Sequence, residues 1–190
     1  MSSGPEKVQR NGRWRTIITL SAILVLLVAG ARIRIWFAHA STKEKILASE
    51  TNLHNIGISI LNYANHNNGD LPPDLGALAS ESPPNYMIFF DPQNVLSPPN
   101  TDSINSLADL HDWINSHADY AYCGAGYGYA KLWGVPQVRR SETVIAYEKD
   151  SARIGDAVNV LYLDFHVERL PLDKAQQAIS ASATRYAQPH

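Results

Sequence analysis

The most apolar stretch of the chain lies near its N-terminus. Residues 16–31 carry no charge, and residues 32–37 continue the apolar character around two arginines. As a helix, the uncharged run would rise about 24 Å, short of a bilayer core of about 30 Å, and extension to Phe37 brings the rise to about 33 Å. Arg32 and Arg34 would then reach toward the headgroups, and Trp36 would lie at the membrane interface. The pattern predicts a transmembrane helix over 16–37.

A cleaved signal peptide is the alternative interpretation of this segment. Arg13 and Arg15, in the short tail of residues 1–15, would form its positive region, and Ala29-Gly30-Ala31 has the small-x-small form of a cleavage site. The arginines directly after that motif favour a retained anchor. Because the basic residues on the two sides of the span balance, the positive-inside rule leaves the orientation open.

A second hydrophobic pattern, in residues 41–66, has the period of a helix. Its apolar positions fall on one helical face, at Ile46, Leu53, Ile56, Ile60 and Ala64. Asn67-Asn68-Gly69 is a stop signal, and Pro72-Pro73 prevents continuation. Residues 38–40 contain no proline or glycine. The predicted membrane span therefore continues directly into this amphipathic half.

The remainder of the chain predicts a small sheet with short helices. Residues 69–105 are mainly loop, and residues 107–114 have helical spacing. Asp173 is placed to cap a last helix, with Gln176 in the capping-box position. Alternating, β-branched and aromatic runs predict strands at 120–123, 142–148, 158–164 and 166–170.

These elements together predict an α+β fold. A long N-terminal helix has a membrane span and an amphipathic half, and that half packs on a small antiparallel sheet with a short C-terminal helix. The globular domain covers 38–190 and includes the amphipathic helix 41–66.

Composition narrows the function classes. The chain has 190 residues, enough for one domain and an appendage, and a net charge of -2. That balance supplies no basic field to hold nucleic acid, so no nucleic-acid partner is predicted. Cys123 is the single cysteine of the sequence, which excludes an intramolecular disulfide.

Candidate chemistry lies at the tip of the last predicted hairpin. Asp164 and His166 are two residues apart, so on a strand they would share a face and could form an acid–base or metal-binding pair. No third group with ligand spacing is visible nearby, which favours polar contacts within the hairpin and predicts no catalytic or metal-binding residue. Phe165 stands where a type I′ turn requires positive φ, so we expect a longer or differently shaped turn.

Other ionisable residues give weaker signals. His111 and His117 are six apart and fall on different faces of a helix, so we expect them to face solvent. Glu148, Asp150 and Asp156 lie in a region suited to calcium, although basic residues stand among them. The prediction is no cofactor, with calcium as the minority alternative.

Two stretches together resemble a known family: NLHNIGISILNYANHNNGDLPPDL, residues 52–75, and VNVLYLDFHVERL, residues 158–170. They are similar to bacterial type IV pilin-like proteins, specifically the type II secretion pseudopilin G-like and prepilin-like families. The resemblance covers most of 41–170. The matching positions taken as a structural motif are Asn52, Leu53, Gly57, Tyr63, Gly69, Asp164 and His166.

The resemblance implies a non-enzymatic, membrane-anchored envelope protein that works through protein contacts in a type II secretion or related assembly. It also implies a single pass through the inner membrane, a periplasmic C-terminal domain, and other pilin-like subunits or secretion-system proteins as partners in protein transport. The chain departs from the family at residues 12–20, which lack the glutamate that directs prepilin assembly. The resemblance therefore supports the fold better than it supports processing or fibre formation.

Two other functions stay open. The first is a stand-alone anchored module that binds a ligand or surface polymer through the aromatic loop 120–133, with Tyr127, Tyr129 and Trp133 in contact. The second, which ranks last, is a hydrolase that uses Asp164 and His166.

Overall fold

The computed structural model describes residues 20, 42–80, 86–91, 104–126, 136–149 and 155–186. The chain divides into two compact units, Met1–Glu44 and Lys45–His190. Apart from Leu20, the predicted span over 16–37 lies outside the described residues. Among the helices that the structure does describe, none is both long and apolar enough to cross a membrane.

Helix α1 covers residues 42–66, in agreement with the predicted amphipathic helix. Of the five positions on the predicted face, Leu53, Ile56, Ile60 and Ala64 are fully buried and Ile46 is half-buried, which confirms the face. The helix ends because Asn68 and Gly69 have positive φ, 57° and 92°, and the Gly69 N–H donates to the Ala64 carbonyl at 2.6 Å. Glycine adopts this left-handed conformation without steric cost, so the stop signal acts as expected.

Four short strands form one antiparallel sheet in the order β1-β2-β3-β4. They are β1 (Tyr120–Tyr122), β2 (Val144–Glu148), β3 (Ala157–Tyr162) and β4 (Val167–Pro171). Consecutive strands pair with each other, so the connections are local in space. The α+β class and the predicted antiparallel sheet are confirmed.

Apolar side chains cover both faces of the sheet. On one face, Leu161, Leu163 and Ile145 pack with the apolar face of α1 in the larger core cluster. On the other, Val158 and Val160 pack against helix α4, which spans Leu172–Tyr186. Both clusters depend on the alternation of side chains along β3. The sheet therefore lies between α1 and α4.

The segment between α1 and β1 closes one end of the larger core. A 3₁₀ helix at Gly76–Ser80 packs against α2, which spans Leu107–His117. Ser106 caps α2 by accepting a hydrogen bond from the Asp109 N–H at 3.1 Å. A second 3₁₀ helix, Tyr86–Phe89, places Phe89 in the core. The predicted short helix before Tyr120 is confirmed.

Helix α3 spans Gln137–Arg140 and precedes β2. The start of α4 differs from the prediction, because the helix begins at Leu172 and Asp173 lies inside its first turn. The Leu172 N–H donates to the Asp156 carbonyl at 3.0 Å. Asp173 is therefore placed to interact with the helix dipole instead of capping the end.

Candidate functional site

A row of polar residues crosses the sheet on the face that α1 covers. Tyr120 lies opposite Glu148, and Asn159 lies opposite Arg169. Glu148 and Asn159 are joined directly, since Asn159 donates from both its backbone and its side chain to the Glu148 carboxylate, each at 2.8 Å. One polar position from each strand thus forms a continuous line, which we call the polar row.

Ser49 on α1 joins the helix to the polar row. Its hydroxyl donates to Oε1 of Glu148 and lies 3.1 Å from the hydroxyl of Tyr120. Arg169 donates to Oδ1 of Asn159 at 3.4 Å. Ser49 and Asn159 are fully buried, and Glu148 is 2% exposed. The two Glu148 oxygens therefore accept their hydrogen bonds inside the protein, which limits the cost of burying the group.

Burial raises the pKa of Glu148 above its ordinary value. Hydrogen bonds from Asn159 and Ser49 and the positive charge of Arg169 act in the opposite direction but offset only part of this effect. Burial likewise raises the pKa of Tyr120 far above the usual tyrosine range, so its phenol stays neutral. In the polar row, Ser49 and Asn159 donate to the buried carboxyl group of Glu148, and Arg169 donates to Asn159. These contacts join α1 to the strands of the sheet.

The hairpin between β3 and β4 holds Asp164 and His166. His166 Nδ1 is hydrogen-bonded to the Asp164 carboxylate, and the His166 N–H donates to the same oxygen at 3.3 Å. The imidazole stacks on the ring of Tyr162 with centroids 4.3 Å apart and planes 6° apart. The expected polar contacts within the hairpin are present. They use both side chains to hold the turn together.

The turn at the hairpin tip departs from type I′, as predicted. The Phe165 N–H donates to the Tyr162 carbonyl at 2.9 Å, and the Tyr162 N–H donates to the His166 carbonyl at 3.0 Å. Phe165 has a φ of 71°, whereas Asp164 is not in the positive-φ region. A type I′ turn needs positive φ at both central residues. The loop instead has three residues, with phenylalanine in the left-handed position that glycine favours.

The motif residues on α1 serve in packing. Leu53 is fully buried, and the Asn52 amide donates to the Phe90 carbonyl at 2.9 Å. A Cβ atom on Gly57 would lie 3.3 Å from Cδ1 of Leu161 and 3.4 Å from the ring of Phe165. The glycine therefore lets the tip of the last hairpin approach the helix closely.

The two motif residues near the end of α1 have separate structural roles. Tyr63 is partly buried against the larger core cluster, and its carbonyl accepts the Asn67 N–H at 2.9 Å. Gly69 follows Asn68, and both residues have positive φ in the turn that ends the helix. The sequence places the motif residues in two separate stretches, 52–75 and 158–170. In the structure, the close approach of Gly57 to Phe165 joins these two stretches.

The two described tyrosines of the aromatic loop, Tyr120 and Tyr122, face the protein interior. Tyr120 is 1% exposed, and the Tyr122 hydroxyl donates to the Pro72 carbonyl at 2.9 Å. These two tyrosines therefore belong to the core and not to an exposed binding surface. Tyr127, Tyr129 and Trp133, on which the binding alternative depends, lie outside the described residues.

The acidic residues considered for calcium do not come together in the described region. Glu148 is held in the polar row, Asp156 is exposed, and Asp150 lies outside the described residues. Across the described ranges, no group of three or more histidine, cysteine, aspartate or glutamate side chains could hold a metal ion.

The two histidines of α2 differ in their surroundings. His111 is half-buried, with Nε2 at 3.1 Å from the Asp74 carboxylate and Nδ1 at 2.9 Å from Asp112, which corrects the expectation that it simply faces solvent. The hydrogen bond to Asp112, followed by the negative charge of Asp74, raises the pKa of His111. His117 is exposed, and its ring stacks on Trp113.

Sequence reasoning missed the polar row. Ser49 and Glu148 are 99 positions apart, and neither has a motif spacing to the other. The available signal for the polar row was Asn159, a polar residue that interrupts the apolar run of β3 at an inward position. No protein-family model, curated protein or solved structure matches this chain.

Proposed function

We propose that this chain is a non-enzymatic, membrane-anchored, pilin-like envelope protein that acts through protein contacts in a type II secretion or related assembly. In this role residues 16–37 anchor the chain, and the domain that follows presents surfaces to partner subunits in the periplasm.

The proposal rests on the structural roles of the motif residues. Leu53 and Gly57 pack α1 on the sheet, and Asp164 and His166 contact each other inside the hairpin. In the proposed role these residues serve the fold, and the surface of the domain makes the functional contacts. The order of an amphipathic helix followed by a small antiparallel sheet also supports this function.

The exposed side of α1 offers a place to detect partners. Leu47 and Ile58 are exposed apolar residues eleven positions apart, which places them on one helical face. A photo-crosslinking residue at Ile58 would report a neighbour on that face. Val138 on α3, which is also exposed and apolar, provides the matched control position.

The test is expression of the full chain in a Gram-negative host, followed by intact-mass measurement in the membrane fraction and crosslinking in place. An uncleaved membrane-bound chain that forms larger species from Ile58, and not from Val138, supports the proposal. An uncleaved chain that stays monomeric at both positions points to the stand-alone binding module. A chain shortened near Ala31 or Ala40 shows that the N-terminal segment is a signal peptide.

A further inference from the structure

Among the residues that the structure describes, helix α4 covers only part of its face of the sheet. The helix packs on β2, β3 and β4, and a cavity of about 550 Å³ lies beside it. Ala121 of β1, Tyr147 of β2 and Val158 of β3 all line this space, which we call the α4 cavity. Its volume falls within the range of small-molecule sites in proteins.

The body of the α4 cavity is apolar. Leu172, Ala175 and Ile179, spaced three and four residues apart on one face of α4, form the helix wall, and Ala121 and Val158 line the opposite side. Ala175 and Val158 are buried, so these surfaces are fixed by the packing of the smaller core cluster. A ligand body that is aliphatic or aromatic would replace water against these walls.

The edge of the α4 cavity is polar and carries a positive charge. Lys149 lines it, and its ammonium group donates to the Ala118 carbonyl at 2.6 Å. An ammonium group has three donors, so this bond leaves others able to reach a ligand. Gln176 and Ser180 add neutral polar groups at the helix side. The carboxylate of Glu148, another lining residue, is engaged by Ser49 and Asn159 in the polar row.

We propose that the α4 cavity binds a small organic monocarboxylate with an apolar body. The carboxylate pairs with Lys149, and the body lies between α4 and the sheet. An ion pair at the edge of an apolar pocket is screened less than one on an open surface, so it contributes orientation as well as affinity. This site does not depend on the proposed envelope function.

The test is calorimetric titration of the full chain, purified in a mild detergent, with octanoate and with 4-phenylbutyrate. Detergent alone serves as the blank for each acid. Octanoate represents fatty acids and 4-phenylbutyrate represents aromatic acids, so the two titrations show which class of monocarboxylate the cavity binds. We expect saturable binding of at least one acid, and binding about tenfold weaker for its neutral amide.

Two pairs of variants locate the bound acid. Lys149→Gln removes the positive charge at the cavity, and Gln176→Trp places an indole at its helix side. Their controls are Lys174→Gln and Gln177→Trp, at exposed α4 positions that do not line the cavity. Circular dichroism and thermal unfolding check that each variant is folded.

We expect each cavity variant to weaken binding about tenfold or more, and each control to bind as the unchanged chain does. Absence of saturable binding for both acids would overturn the proposal. So would equal affinity in Gln176→Trp and Gln177→Trp, because binding would then occur elsewhere. The tryptophan pair decides the question even if Lys149→Gln does not fold.

Discussion

Phe165 occupies a backbone conformation that costs a side-chain-bearing residue about 1 kcal/mol, yet it is held there by a packed ring. The ring is partly buried against the larger core cluster and reaches Gly57. Apolar contact therefore opposes backbone strain at this one position. The sequence indicated the strain, since phenylalanine stands where a turn favours glycine, but it did not indicate the ring's contact.

This balance predicts an unusual order of stability at position 165. Phe165→Gly and Phe165→Ala both remove the ring, but only glycine relieves the positive φ. We expect Phe165→Gly to be more stable than Phe165→Ala by about 1 kcal/mol in chemical denaturation. At Gln177, an exposed position in α4, the order should reverse, with alanine the more stable by a similar amount. The same order at both positions would contradict the strain.

Glu148 is the residue on which the polar row depends. Glu148→Ala leaves the buried N–H of Asn159 without its carboxylate acceptor and removes one of the two acceptors of its side-chain amide, so we expect a loss of about 3 kcal/mol in the free energy of unfolding. Glu168→Ala, on an exposed position of β4, should change stability by less than about 0.5 kcal/mol. Similar losses in both variants would show that the polar row contributes nothing specific.

Glu148 also predicts a pH dependence of stability. Its folded pKa lies above its ordinary value of 4.5, so the folded state binds the proton more tightly than the unfolded state. This stabilising contribution is complete below about pH 4.5 and is lost as pH rises through the folded pKa. In chemical denaturation measured over this pH range, the free energy of unfolding of Glu148→Gln should not show this fall. That of Glu168→Gln should still show it.

At the scale of elements, the contact between α1 and the last hairpin depends on the absence of a side chain. Gly57→Ala gains helix propensity of about 1 kcal/mol but places a methyl group 3.3 Å from Leu161, so we expect a small net change. Gly57→Leu must separate the helix from Leu161 and Phe165, and we expect a loss of about 2 kcal/mol or more. His54→Leu, one turn away and exposed, is the control expected to change little, and thermal unfolding compares the three.

A second pair of elements, α2 and the loop before the first 3₁₀ helix, meets through His111. Its folded pKa is raised above the ordinary value of 6.5, so the stabilising effect is complete below that pH and is lost as pH rises through the folded pKa. We expect the stability difference between the unchanged chain and His111→Gln to shrink over this window. Asp112→Asn removes the largest cause of the shift and should reduce the pH dependence. An unchanged pH dependence in His111→Gln would contradict the assignment.

At the scale of the whole second unit, the sheet is the layer on which the other elements depend. The polar row joins α1 to all four strands, and α4 covers the opposite face of β3. Elements joined in this way are expected to unfold as one cooperative group. The segment around α2 meets this group through the core and through the 3₁₀ helix at Gly76–Ser80.

Hydrogen exchange with mass spectrometry tests this cooperativity. Peptides from α1, β2 and β3 should exchange at a common slow rate, and Glu148→Ala should accelerate all three together. Independent exchange of α1, faster than the sheet in the unchanged chain, would contradict a single cooperative group. Glu168→Ala provides the matched comparison on the same sheet.

The sequence by itself determined the elements whose signals are local. The period of apolar residues placed α1, and the stop signal ending at Gly69 placed its end. Alternating runs placed the strands and the tight hairpin, since a strand's two faces follow directly from the order of its residues. The departure of the Phe165 turn from type I′ was also predicted, because the φ requirement belongs to single positions.

Only the tertiary structure decided which distant residues meet. A helix capped by Asp173 would begin at residue 174, but α4 begins two positions earlier, at Leu172, whose N–H finds its acceptor on Asp156, outside the helix. The polar row depends on strand register and on the rotation of α1, which together bring Ser49 within reach of Glu148. Register and helix rotation are set by the packing of whole faces, and no spacing along the chain encodes them.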